Sequence, residues 1–159
     1  MRQKFFVYGA VLFLIIIISC GIFLFFRGRA QKISIGVVAV GDERLYVEYA
    51  LTPREWARGF MYREGLAEDH GMLFVFPDSL SRAFWNQNTY LPLDIIWING
   101  GQVIGVSELP SVRDRGVVSA YSPGPAEFVL EVNHGWIERH GIETGTPVSQ
   151  IIVENEIHR

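Results

Sequence analysis

Apolar and polar positions divide the chain into two unequal parts. Residues 5–26 run without a single charged side chain and include sixteen Val, Leu, Ile or Phe residues. Beyond them the pattern breaks into short alternating or compact apolar stretches. Residues 44–51 alternate, with Leu45, Val47, Tyr49 and Leu51 on one side, as a half-buried strand requires. Thr52-Pro53-Arg54-Glu55 then supplies an N-cap, a proline at the first helical position and a glutamate at the third, which predicts a short helix to about Met61. Residues 72–76 form an apolar run stopped by Pro77, and residues 82–87 form an aromatic strand. Residues 93–98 and 102–109 flank Asn99-Gly100-Gly101, a tight hairpin turn. Residues 126–132 alternate again, Asn133 caps a helical turn through about His140, and residues 148–153 give a last strand. Seven or eight short strands with one or two short helices predict a mainly β sandwich or barrel, preceded by one N-terminal transmembrane helix.

The leading run is long enough for that role. Twenty-two residues at about 1.5 Å each make a helix of about 33 Å, close to the roughly 30 Å hydrocarbon core of a bilayer. Its aliphatic and Phe residues favour insertion by roughly 5–9 kcal/mol. Arg2 and Lys4 oppose Arg27, Arg29 and Lys32, so the flanking charges nearly balance; a short basic stretch before a first helix favours an inside N-terminus. Two other readings compete with an uncleaved anchor. Ile17-Ile18-Ser19-Cys20 is similar to a lipoprotein signal, and a cleaved secretory signal is the third reading. All three place the following domain outside the cytoplasm, and the first two hold it on the cytoplasmic membrane, as a single-pass protein or through lipid on Cys20.

At 159 residues the chain suits one ordinary domain: residues 1–29 as anchor or signal, 30–43 as a connector that includes a strand over 33–40, and 44–159 as a β-rich globular domain. After Lys32 there are nine basic residues, all Arg, against all seventeen acidic ones, so the folded part is acidic. Without a basic footprint nucleic acid is not an expected partner. The one cysteine, Cys20, lies in the apolar run, which excludes an intrachain disulfide or a soluble thiol nucleophile. His70, His134, His140 and His158 lack the spacing of a helical zinc motif, and there is no nucleophile elbow, phosphate loop or dinucleotide fingerprint. No catalytic set, metal site or cofactor is therefore expected.

The blocks TPREWARGFMYREGL, GMLFVFPD and FWNQNTYLPLDIIWI, followed by GQVIGV, PAEFVLEVNHG and GIETGTPV, resemble the domain of unknown function 192 family over about residues 44–153. That resemblance implies a jelly-roll-like β fold and brings no reaction with it. Where family members typically read Trp-Met-Lys-Asn, this chain has Trp85-Asn86-Gln87-Asn88, without the lysine.

Asp94 is the most informative side chain. In a strand it shares a face with Ile96 and Ile98, while Leu93, Ile95 and Trp97 take the other, so its carboxylate lies between apolar faces and needs a partner. Arg58, Arg63 and the backbone amides near Asn88 are the expected partners. Asn88 and Thr89 either satisfy local backbone groups or supply donors and acceptors at a pocket rim, with Trp85 as a stacking floor. Phe84 and Trp85 must point to opposite sides, and an exposed Trp85 favours a ligand site. Glu127 and Glu131 alternate with Phe128, Leu130 and Val132 and read as solvent-facing. The candidate pocket is thus Arg58, Arg63, Trp85, Asn88, Thr89 and Asp94, in a non-catalytic binding or accessory module for a small ligand or an envelope protein. Two alternatives stand beside it: a small envelope hydrolase acting on glycan or peptide with Asp94 as acid or base, for instance paired with Glu108, and a structural partner of another membrane protein.

Overall fold

The computed structural model describes residues 34–154. The membrane segment expected over residues 5–26 and the lipidation site Cys20 lie outside them. Among the described residues no helix is long and apolar enough to cross a membrane.

These residues form strands β1 (Ile35–Val40), β2 (Glu43–Ala50), β3 (His70–Trp85), β4 (Leu93–Asn99), β5 (Gln102–Leu109), β6 (Ser119–Asn133) and β7 (Val148–Glu154). Three short helices join them, α1 (Pro53–Arg58), α2 (Val112–Arg115) and α3 (Trp136–His140). The protein is therefore mainly β, and its seven strands make a single sheet in the order β5-β4-β6-β3-β2-β1-β7. The edges of that sheet approach one another: Val103 N donates to Thr146 O at 2.9 Å, Gly145 N to Val103 O at 2.8 Å and Val148 N to Gly101 O at 2.8 Å. Strand pairing is antiparallel except between β2 and β3, which run parallel and are joined through α1. A parallel pair needs a crossover, and this one lays α1 against the sheet.

Local signals account for most of these elements. Leu45 and Val47 are fully buried and Tyr49 nearly so, as the alternation of β2 demands, while Leu51 falls past the strand end and is half exposed. Thr52 and Glu55 make the reciprocal capping box, with Thr52 Oγ1 accepting from Glu55 N and Glu55 Oε2 accepting from Thr52 N at 2.9 Å. Gly100 and Gly101 both take positive φ, 58° and 74°, which turns β4 back into β5. The connector contributes a full strand: β1 pairs with both β2 and β7 and buries Val38 and Val40.

Three expectations are corrected. The runs at residues 72–76 and 82–87 are one strand, β3, whose register against β6 shifts between Val75 and Leu80; Pro77 sits in that irregularity, where no ladder donor is required, instead of ending the strand. α1 stops at Arg58 because Gly59 takes φ 44° and leaves the helix. Asn133 does not cap α3, whose N-cap is Gly135; its amide instead donates to Leu66 O at 3.2 Å and Ala67 O at 2.9 Å.

Both faces of the sheet are covered. One cluster gathers Val38, Val40, Leu45, Val47, Leu73, Ile96, Ile98, Leu130 and Val132 with Trp136 of α3. The other gathers Met72, Phe74, Leu93, Ile95, Trp97 and Val129 with Phe60, just after α1, and Leu91. Asp94 and Glu131 lie on the central strands β4 and β6, and their cross-strand neighbours assign them to opposite faces: Asp94 pairs with Val132, Glu131 with Ile95 and Met72.

Candidate ligand-binding site

A cavity of about 370 Å³ opens between α1, the second half of β3 and β6. Trp56, Phe74, Phe76, Phe84 and Trp85 make its apolar walls, and Arg58, Ser81, Arg82, Thr89 and Glu131 its polar points. The aromatic rings hold one another at an angle, Phe84 standing edge-on to Phe74 at 4.7 Å and to Trp97 at 5.6 Å, and Trp56 lying 4.9 Å from Phe76. Trp56 is also pinned by its indole N–H, which donates to Ala50 O at 2.9 Å. Arg82 lies over the Phe76 ring at 3.9 Å, donates to Ala126 O at 3.1 Å and is ion-paired with Asp78. This is a preset wall, closed on several sides by packing that costs nothing further when a ligand arrives.

Glu131 is the outlying group in that wall. Only 4% of its surface is exposed. Burial pushes its carboxyl up to about 8, with no hydrogen bond or neighbouring charge offsetting the shift. At neutral pH it is therefore a protonated acid, a hydrogen-bond donor as well as an acceptor. The chain after α1 passes directly over it: a Cβ on Gly59 would meet Phe74 Cζ at 3.5 Å and Glu131 Oε2 at 3.7 Å. Glu131 had read as solvent-facing, and the structure reverses this. Its face of β6 is roofed by α1 and by the far half of β3, so polar alternation along β6 separates two buried sides instead of inside from outside. A glutamate in a strand otherwise flanked by Val and Leu carried no signal that would have distinguished it from an exposed one.

The six expected pocket residues do not form one site. Arg58, Trp85 and Thr89 line the Glu131 cavity. Trp85 is 54% exposed and Phe84 packs inward, the division that adjacent strand positions require. Arg63 is elsewhere engaged, forming a two-pronged ion pair with Glu48, with Nη2 to Oε2 at 2.6 Å, while its guanidinium lies 5.0 Å from the Phe60 ring. Hydrogen bonding to Glu48 raises the Arg63 pKa further. Asn88 serves the backbone: it takes φ 57°, and its carbonyl accepts from Tyr62 N at 2.8 Å. Its neighbour Asn86, which sequence reasoning passed over, is fully buried and uses its whole amide, donating to Pro110 O at 2.8 Å and Gly116 O at 2.9 Å and accepting from Val118 N at 2.8 Å. That clamp fastens the α2 loop to the end of β3, beside the cavity.

Asp94 lies between apolar faces as expected, but its partners are neither Arg58 nor Arg63. It accepts from Ile137 N at 3.0 Å and meets His134 Nδ1 at 2.9 Å. The arginines lie with the loops beyond the opposite face, whereas the turn into α3 brings His134 and Ile137 onto Asp94's own side. A second cavity, of about 340 Å³, is lined there by Asp94, Val106, Ser107, Glu108, His134 and Glu138. The His134 side chain is half exposed, so a carboxylate orients an imidazole that solvent can reach. Ser107 Oγ accepts from Trp97 Nε1 at 2.9 Å. Among the described residues no group of three or more His, Cys, Asp or Glu is placed to hold a metal ion.

Comparison with known proteins gives a family and a fold. The sequence model of the family named domain of unknown function 192, described as an uncharacterised ACR, matches residues 36–150. A crystal structure of a Sinorhizobium meliloti protein provisionally called a transcription regulator shares 30% identity, with a TM-score of 0.64 over 75% of this chain and 94% of that one. A protein of unknown function from Novosphingobium aromaticivorans shares 29% identity, with a TM-score of 0.70 over 76% of this chain and 89% of that one. No curated protein matches.

Proposed function

The chain belongs to the domain of unknown function 192 family, and from that premise we propose that it is a non-catalytic small-molecule-binding module, its ligand seated in the Glu131 cavity. The observation that carries this reading is the buried carboxyl of Glu131 set in an aromatic wall, where burial pushes its pKa up to about 8. Burying a carboxyl costs stability, and groups with strongly shifted pKa in clefts concentrate at functional sites. The half-exposed Trp85 and the buried Thr89 support the same place.

The module is held at the outer side of the cytoplasmic membrane by residues 5–26, either as an uncleaved helix or through lipid on Cys20, and the jelly-roll-like description of the sheet belongs with this reading. The apolar length of the segment and the acidic, Cys-free remainder support it. That the S. meliloti protein is called a regulator lends this chain little toward nucleic acid, because after Lys32 the chain has nine basic residues against seventeen acidic ones.

A ligand screen on the full chain by thermal shift, with Glu131→Leu as control, tests the proposal. Compounds that raise the Tm of the wild type and leave Glu131→Leu unmoved are expected; compounds that shift both equally would place binding elsewhere. Protease added to spheroplasts tests the location and should digest the C-terminal part.

A second reading has one observation in its favour. The Asp94–His134 pair at the second cavity is a base with its orienting carboxylate, the beginning of an acid–base site. In an envelope hydrolase of this kind His134, with Asp94 fixing its ring, would move the proton, and Asp94 would not be the acid itself. Glycan or peptide hydrolysis abolished by His134→Ala, with ligand binding at Glu131 intact, would favour it.

A further inference from the structure

We propose that the Glu131 cavity takes a flat heterocycle of fused rings, edge-on to Glu131, with a ring N–H and the polar atom beside it paired to the carboxyl oxygens. This rests on the ligand-binding reading of the cavity and adds the ligand's shape and the hydrogen-bonding edge it presents.

The carboxyl is buried and has no hydrogen-bond or ion-pair partner among the described residues. No partnerless side-chain oxygen or nitrogen there is sealed away completely, so the Glu131 oxygens open onto the cavity they line. Gly59 lines the same space, and a Cβ there would lie 3.7 Å from Oε2; the bare glycine leaves that oxygen uncovered.

The form of a carboxyl selects its partner. It presents two oxygens side by side in one plane, and in either protonation state it accepts, so the group opposite must include a donor. A ring N–H with a second polar atom next to it makes the two-pronged pair that fixes a planar partner. Burial favours the uncharged carboxyl, whose own O–H then asks for a carbonyl as that second atom. A bare hydrocarbon would seal Glu131 off with nothing to bond, at the full cost of desolvating it.

The walls select a flat body. Phe84 stands edge-on to Phe74, with 84° between the ring planes, and Trp56 and Phe76 meet at 47°. Rings so disposed give a planar ligand one face to stack on and one edge to abut. An engineered cavity of about 150 Å³ holds a benzene ring, so about 370 Å³ has room for a fused pair. Thr89 adds a second buried hydroxyl to the lining. Its contact with Gln87 O, at 3.5 Å, is longer than a good O–H···O bond and leaves it able to meet a further polar atom of the ligand.

Equilibrium dialysis of the full chain in detergent, with detergent alone as the blank, tests this by comparing 2-quinolone with 1-methyl-2-quinolone. The two share their rings and carbonyl and differ in the N–H. The expected result is 2-quinolone bound about tenfold more tightly. Glu131→Leu should bring the two to equal affinity, and Glu131→Gln, whose amide also sets a donor beside an acceptor, should keep the preference. Equal binding of the two by the wild type overturns the edge pairing and leaves the cavity standing as an apolar site. A preference that survives in Glu131→Leu overturns the assignment of that edge to Glu131. Failure of both probes at millimolar concentration overturns the heterocycle class, and the thermal-shift screen then decides whether the cavity binds any ligand. The wild-type comparison needs no variant, so a misfolded Glu131→Leu does not weaken the test.

Discussion

Asp94 and Glu131 sit on neighbouring central strands, a register position apart, and each is at least 96% buried. The first is partnered by an imidazole and a backbone amide; the second has only burial acting on it. On one face of the sheet the turn into α3 delivers two donors to a carboxylate. On the other, α1 and the arm of β3 deliver aromatic rings and leave a space. Asp94 is thus explained by the fold that surrounds it, whereas Glu131 is a cost the fold carries, which is why the binding reading follows the second acid.

The contrast can be broken most forcefully through pH. The folded state keeps a proton on Glu131 from the ordinary glutamate value of 4.5 up to about 8, and the unfolded chain does not. The unfolded state is therefore favoured progressively as pH rises through that window, and stability should fall there by up to about 3–5 kcal/mol, levelling off above it. Urea titrations of wild type and Glu131→Gln from pH 5 to pH 9 should show that slope in the first and not in the second, leaving the variant the more stable at pH 8.

Asp94→Ala should act in the opposite sense, lowering stability by about 2–4 kcal/mol at pH 7, because the amide of Ile137 and the ring of His134 lose a charged acceptor in a buried place. Chemical denaturation measures it. His134→Ala removes one of the two partners from a half-exposed ring, and about 1 kcal/mol is expected by the same measurement. Smallest is Thr52→Ala, which removes half of the capping box that starts α1, the helix roofing Glu131. It should lower stability by about 0.5 kcal/mol, the low end for an exposed cap, and because α1 shapes the cavity, ligand affinity should fall with it.

Much of the local structure could be read in advance because its causes are local. The capping box at Thr52 and Glu55, the glycines at 100 and 101, and the alternation of Leu45, Val47 and Tyr49 each act within a few residues. Asp94 between two apolar faces was equally legible, since the period of a strand assigns every side chain a side. Legibility ended at partners. Arg58 and Arg63 were near Asp94 only as chemistry that would suit it, and the histidine that reaches it comes from forty residues along the chain. Pro77 likewise misled, because whether a proline ends a strand or rests in an irregularity depends on what the neighbouring strand asks of it.

What the sequence determined by itself was a mainly β domain of one family, its strand faces, its turns and an apolar leading segment of membrane-spanning length. Only the tertiary structure decided that the sheet is covered on both sides. Periodicity tells which side chains point together, but says nothing about what closes over them. The chain's return through α1 and the arm of β3 turned a glutamate on an apparently wet face into a buried acid at the wall of a cavity.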